Sequence, residues 1–262
     1  RPEPDTFRQL MQGMVDSMIA TGDASRLAAA WLYRMLQTPD QLQEKITLFW
    51  HGHFATSAEK VEDPIMMQQQ NDLLRNNATG SFQEMVQSIS SDPAMLIYLD
   101  SASNRKTHPN ENFSRELMEL FCLGEGHYSE EDIRELARCF TGWEVKNRRF
   151  RFNRYQHDFG SKTVLGKTAR FTGEQAVEQV LEQPSAARFI AARLVNYLLF
   201  DEPVVPALLV EPLAAQLRAD DFQLGPTLQR ILSSNLFHSP FSRQRKIRSP
   251  VELMVGMLRT LE

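Results

Sequence analysis

The stretch Asn110-Glu111-Asn112-Phe113-Ser114-Arg115-Glu116-Leu117-Met118-Glu119-Leu120 gathers ionic side chains at helical spacing directly after a polar turn. Asn112, Arg115, Glu116 and Glu119 recur at intervals of three and four, which puts them on one helix face, while Phe113, Leu117 and Leu120 fall on another. Asn110 reads as the N-cap, and Glu111 faces Arg115 one turn later. Two carboxylates a turn apart can hold a hard cation through oxygen, or divide into acid and base when their surroundings differ. The same residues would also serve as a salt-bridge ladder, worth only tenths of a kcal/mol per pair on an exposed helix.

Two further clusters carry ligating or titrating groups. His51-Gly52-His53 places two imidazoles between Trp50 and Phe54, as transition-metal ligands or a general base, or as a plain helix end with one ring stacked. His157-Asp158 is followed by Gly160 and Lys162, where a glycine lets the backbone turn close to a bound group; a turn in which Asp158 caps its own backbone is the alternative. No HExxH, GxSxG, P-loop, dinucleotide-binding GxGxxG or EF-hand pattern is present.

Together these residues allow a metal-dependent hydrolytic site built from the 49–54, 110–119 and 157–162 segments. His51, His53, Glu119, His157 and Asp158 would be ligands of a divalent ion, Glu116 a ligand or base, and Arg115 or Lys162 the holder of an anionic substrate group. The competing reading is a non-enzymatic binding or assembly module with a protein partner, in which the Asn-Glu-Arg-Glu helix is a buried ion network that fixes packing. Under that reading Glu116→Gln costs folding, whereas a site residue is replaceable with little loss of stability.

The elements that must position these residues are mainly helical. Apolar spacing predicts a helical hairpin up to residue 37, then a helix opened by Thr38-Pro39-Asp40 that runs to His53. Further helices start at Asp63-Pro64, Gly80-Ser81 and Ser91-Asp92-Pro93. Residues 100–110 read as a polar loop of the kind on which sites are built. Gly124-Glu125-Gly126 ends the ionic helix, and Ser129 with Asp132 forms a capping box for the next. From 144 to 172 the helical period gives way to a short β-hairpin or extended insertion, with Phe150 and Phe152 alternating inward beside Arg148, Arg149, Arg151 and Arg154. Helices resume over 173–182, 185–199, 206–219, 226–233 and 250–262. The expected fold is mainly α, one multi-helix domain across residues 1–262.

Composition narrows the partners. A net charge of −4, from 29 basic and 33 acidic residues, supplies no global field for nucleic acid, so the arginine and aromatic run at 146–154 ranks last as a binding surface. The longest apolar run, 186–199, is interrupted by Arg188, Arg193 and Asn196, which excludes it as a membrane span. Cys122 and Cys139 lack the companions of a zinc site and read as core thiols, a disulfide between them being the other option. Both ends of the chain look cut.

The motif set Phe49-Trp50-His51-Gly52-His53-Phe54, Tyr98-Leu99-Asp100, the 110–120 stretch, Tyr128 to Asp132, Thr141-Gly142-Trp143, His157-Asp158 with Lys162, and Leu165-Gly166 resembles, in order and spacing, the bacterial family known as domain of unknown function 1800. Lys246-Ile247-Arg248-Ser249-Pro250-Val251-Glu252 resembles its closing helix. One departure falls at Phe121-Cys122, where relatives tend to carry His-Thr. The resemblance implies a large, mainly helical bacterial protein with an extracytoplasmic location, and it names no substrate.

Overall fold

In a computed structural model the described residues are 4–202, 204–243 and 245–261. Helices dominate, as the periodicity predicts. The opening hairpin is α1 (Asp5–Ala20) and α2 (Leu27–Gln37), which share a small core of Met11, Val15 and Ala30. Next come α3 (Gln41–His53), α4 (Ala58–Val61), α5 (Pro64–Asn76), α6 (Phe82–Ser90) and α7 (Pro93–Tyr98). Each of these five opens on a side chain that accepts from an otherwise unpaired first-turn N–H: Asp40, Ser57, Asp63, Ser81 and Asp92.

After the 100–110 loop, α8 (Asn112–Glu116) passes without a break into a π-helical turn, Leu117–Cys122. α9 (Glu130–Cys139) follows behind the expected Ser129/Asp132 capping box. The non-helical insertion is two hairpins rather than one: β1 (Trp143–Lys146) pairs antiparallel with β2 (Arg149–Phe152), and β3 (Lys162–Val164) with β4 (Lys167–Ala169). Helices α10 (Gly173–Leu181), α11 (Pro184–Leu198), α12 (Ala207–Ala219), α13 (Leu224–Leu232), α14 (Asn235–His238) and α15 (Pro250–Leu261) complete the chain. One continuous apolar cluster joins side chains from α3 to α13, with Trp50, Phe54, Phe82 and Phe113 at its centre. No helix among the described residues is long and apolar enough to cross a membrane.

Two sequence expectations are corrected by the packing, and one pair of alternatives is resolved. Phe150 and Phe152 are not buried: each sets one edge against a buried ring, Trp143 and His157 respectively, but every residue of β2 stays exposed because no second layer covers the two-stranded hairpin. Leu120 is half exposed and Phe121 buried in its place. The π turn adds a residue to the turn, so the apolar stripe through Phe113 and Leu117 continues at Phe121 instead of Leu120. Cys122 and Cys139 are both free and buried, and burial pushes the Cys139 thiol up to about 12, which makes both inert core residues.

Asp92 shows what a buried cap costs. Its Oδ2 accepts from Gln70 Nε2 at 2.7 Å and from Met95 N at 2.9 Å, yet burial raises its pKa from 3.8 to about 6. A folded-state pKa above the unfolded one means that the native state holds the proton more tightly. This group's contribution is therefore greatest below about pH 4 and is lost as pH rises through 6. The difference corresponds to about 3 kcal/mol at most. Asp92→Asn keeps a good N-cap without the charge. It is expected to unfold in denaturant at equal or higher concentration than wild type at pH 7.5, with the advantage shrinking or reversing at pH 4.

Candidate functional site

The C-terminus of α3, the end of α7, the π turn and the middle of α11 enclose a pocket of about 540 Å3. His53, Tyr98, Glu116, Glu119, Phe121 and Arg193 contribute to its walls. The π turn is what makes this wall. Its defining bond runs from Leu123 N to Met118 O (2.8 Å), five residues back. The Phe121 carbonyl lies in the last turn, where carbonyls have no partner within the helix, and it is taken by His53 Nε2 at 2.9 Å. A carbonyl only accepts, so Nε2 carries the proton and Nδ1 presents a lone pair, which has no partner among the described residues. Burial, and then the Arg193 charge, depress the His53 pKa to about 3. The imidazole is thus held neutral, clasped between the rings of Phe49, Trp50 and Phe54.

The two glutamates of the signature helix sit in different surroundings. Glu119 Oε2 accepts from the Tyr128 hydroxyl at 2.7 Å. Glu116 has no hydrogen bond or ion pair among the described residues, and its pKa is raised by burial and by the neighbouring Glu119 charge. Arg193 stands exposed on the opposite wall, likewise without a hydrogen bond or ion pair, its pKa lowered by desolvation. One pocket therefore holds a carboxyl biased toward its protonated form, a carboxyl oriented by a phenol, a guanidinium free to receive an anionic oxygen, and a neutral imidazole.

The remaining predicted site residues lie elsewhere. Arg115 does not face the pocket. It makes a two-pronged pair with Glu130, 2.8 Å on each arm, and a looser one with Glu111 at 3.6 Å, which ties α8 to the start of α9. Asn112 also turns away from the carboxylates, donating to Leu99 O at 3.1 Å. His51, two residues from His53 on a helix and so about 200° round it, packs edge-on against Trp31 at 5.0 Å. His157 and Lys162 line a different cavity, of about 390 Å3, between the hairpins and α10. Asp158 is engaged by Arg138 Nε at 2.7 Å and by Gly160 N.

The metal set His51, His53, Glu119, His157 and Asp158 is accordingly not assembled. Among the described residues no group of three or more His, Cys, Asp and Glu side chains is placed to hold a metal ion. Helix geometry turns His51 away from His53, and the turn at 157–162 packs against α9 instead of reaching the 110–119 helix. Sequence reasoning missed Arg193, Tyr98 and Tyr128. Arg193 carries a signal in the sequence, a cation interrupting the apolar run of α11, but spacing within one helix does not name what it faces.

A cavity of about 560 Å3 beneath α15 is similar in size, but its two carboxylates are each held by a cation, Glu252 by Lys45 and Glu44 by Arg75. No curated protein and no solved structure matches this chain. A family model does, over residues 8–262, and by that match the chain belongs to the family of proteins of unknown function designated DUF1800.

Proposed function

We propose that the chain is a hydrolytic enzyme working by side-chain acid–base catalysis in the pocket of Glu116, Glu119 and Arg193. The observation that carries this reading is the split between the two carboxyls, one partnerless and raised, the other held by Tyr128. Carboxyls whose environments differ in this way can serve as acid and base in one reaction. Glu116 would donate the proton to the leaving group, Glu119 would receive the proton of the attacking water, and Arg193 would hold an anionic part of the substrate. The alternative, an ionic keystone, asks Glu116 for a partner that stabilises the packing, and the carboxyl has none among the described residues.

Ester, amide, glycoside and phosphoester chromogenic substrates assayed with wild type, Glu116→Gln and Glu119→Gln test the proposal. We expect turnover of one class, with kcat/KM at least about 100-fold lower in each variant and circular dichroism unchanged. Turnover that survives both substitutions, absence of turnover on all four classes, or loss of folding in Glu116→Gln would overturn it.

A further inference from the structure

The cavity between the two hairpins and α10 is outside the acid–base pocket, and its walls are chemically different. Trp143, Phe152, Phe159 and Phe171 give it flat apolar faces, and Lys162, Arg170, His157 and the first residues of α10 give it polarity. We infer that this cavity is a second binding site, for a ligand with a planar ring that carries an anionic oxygen group, phosphate or carboxylate.

Three groups converge for the anion. Lys162 is almost fully enclosed, and its ammonium donates to the carbonyls of Asp158 and Phe171, leaving one of its three N–H bonds uncommitted. Arg170 is exposed on the wall and has no hydrogen bond or ion pair among the described residues. The N-terminus of the nine-residue α10 completes the set. In its capping box Thr172 N is taken by Gln175 Oε1, and Gln175 N by Thr172 Oγ1, so the N–H groups of Gly173 and Glu174 are left for an outside acceptor. Two cations and a helix N-terminus face one carboxylate, that of Glu174, which is the natural partner for a hydroxyl or amine elsewhere on the ligand.

The independent pointer to a ligand is His157. The ring is 4% exposed, its Nδ1 donates to Thr141 O at 2.8 Å, and the opposite edge carries Nε2, which has no partner among the described residues. With the proton on Nδ1, Nε2 is an acceptor free to take a donor group of a ligand in the cavity that His157 lines. Phe152 and Phe159 stand edge-on to the imidazole at 5.2 and 4.7 Å, framing a slot for a ring. Phe152 and Phe159 are themselves 47% and 58% exposed, so the slot is open at its rim. Gly173 sets the depth: a Cβ there would lie 2.3 Å from Trp143 Cζ2, so only glycine lets the indole lie flush on the start of α10.

Isothermal titration calorimetry of the full chain with phenyl phosphate, benzoate and inorganic phosphate tests the site. At least one ring anion should bind saturably, about tenfold or more tighter than inorganic phosphate, and Arg170→Gln and Phe159→Ala should each weaken it about tenfold. Both substitutions are at exposed positions, so folding is retained. The order of phenyl phosphate and benzoate decides which anionic group the site takes. Glu116→Gln should leave this binding unchanged, which separates it from the acid–base pocket. Absence of saturable binding by either ring anion, equal binding of inorganic phosphate, wild-type affinity in both rim variants, or loss of binding in Glu116→Gln would overturn the inference.

Discussion

Gly142→Ala is expected to destabilise the protein by about 3–5 kcal/mol, the larger part from overpacking and the rest from left-handed backbone strain. Gly142 has φ +80, and a Cβ built on it would sit 2.5 Å from Asn153 O and 3.0 Å from His157 N. Both neighbours are backbone, so no side chain can rotate aside. The residue also joins two segments, since its N–H donates to Asn104 O (2.9 Å) and its carbonyl accepts from Asn153 N (2.7 Å). Thr141 before it holds His157 through the backbone carbonyl and Asp158 N through the hydroxyl, and Trp143 after it packs on Gly173. The Thr-Gly-Trp motif is thus a clamp for the 153–158 turn. Gly166→Ala is the control. It has the same φ of +80 but no atom within 4 Å of the built Cβ, so only backbone strain remains and the loss should be about 1–2 kcal/mol. Urea unfolding of the two variants measures the difference.

A second large effect is expected at Glu44, buried to 3% in the seam between α2, α3 and α5. Its Oε2 accepts from Trp31 Nε1 and its Oε1 from Arg75 Nε, each at 2.7 Å. Removing one member of a buried ion pair leaves the other charge uncompensated, at about 3–5 kcal/mol. Arg75 retains Asp72 and Asn71 as acceptors. Glu44→Ala should therefore fall at the low end, about 3 kcal/mol, and Glu44→Gln should cost less because the amide oxygen still receives the indole. Chemical denaturation with Trp31 fluorescence as the probe checks both, since the indole loses its partner only in the alanine variant.

Much of the fold was legible because its signals are local. Asp63-Pro64, Ser81, Asp92-Pro93 and the Ser129/Asp132 box each announce a helix start by a cap whose chemistry lies within a few residues, and each helix begins there. The π turn was not legible. Nothing in Leu117-Met118-Glu119-Leu120-Phe121-Cys122 distinguishes a five-back from a four-back bond, and that single change exposed Leu120 and brought Phe121 to the pocket wall.

The candidate site was legible in part for the same reason. Glu116 and Glu119 are one turn apart on one helix, so their shared placement follows from spacing. Convergence of His51, His157 and Lys162 with them required long-range geometry that spacing does not encode, and those residues lie elsewhere. Arg193 comes from a helix more than seventy residues downstream and meets the glutamates only through packing. Phe121, brought inward by the π turn, lines the same pocket.

The most direct test of the acid–base account is a carbon-13 NMR titration of the glutamate side-chain carboxyls, with the Glu116 signal assigned by its loss in Glu116→Gln. The account predicts that Glu116 titrates above the ordinary 4.5 of a glutamate and moves back toward it when Glu119→Gln removes the neighbouring charge. A Glu116 that titrates at or below 4.5 and ignores the substitution at Glu119 would contradict the division of roles on which the proposed function stands.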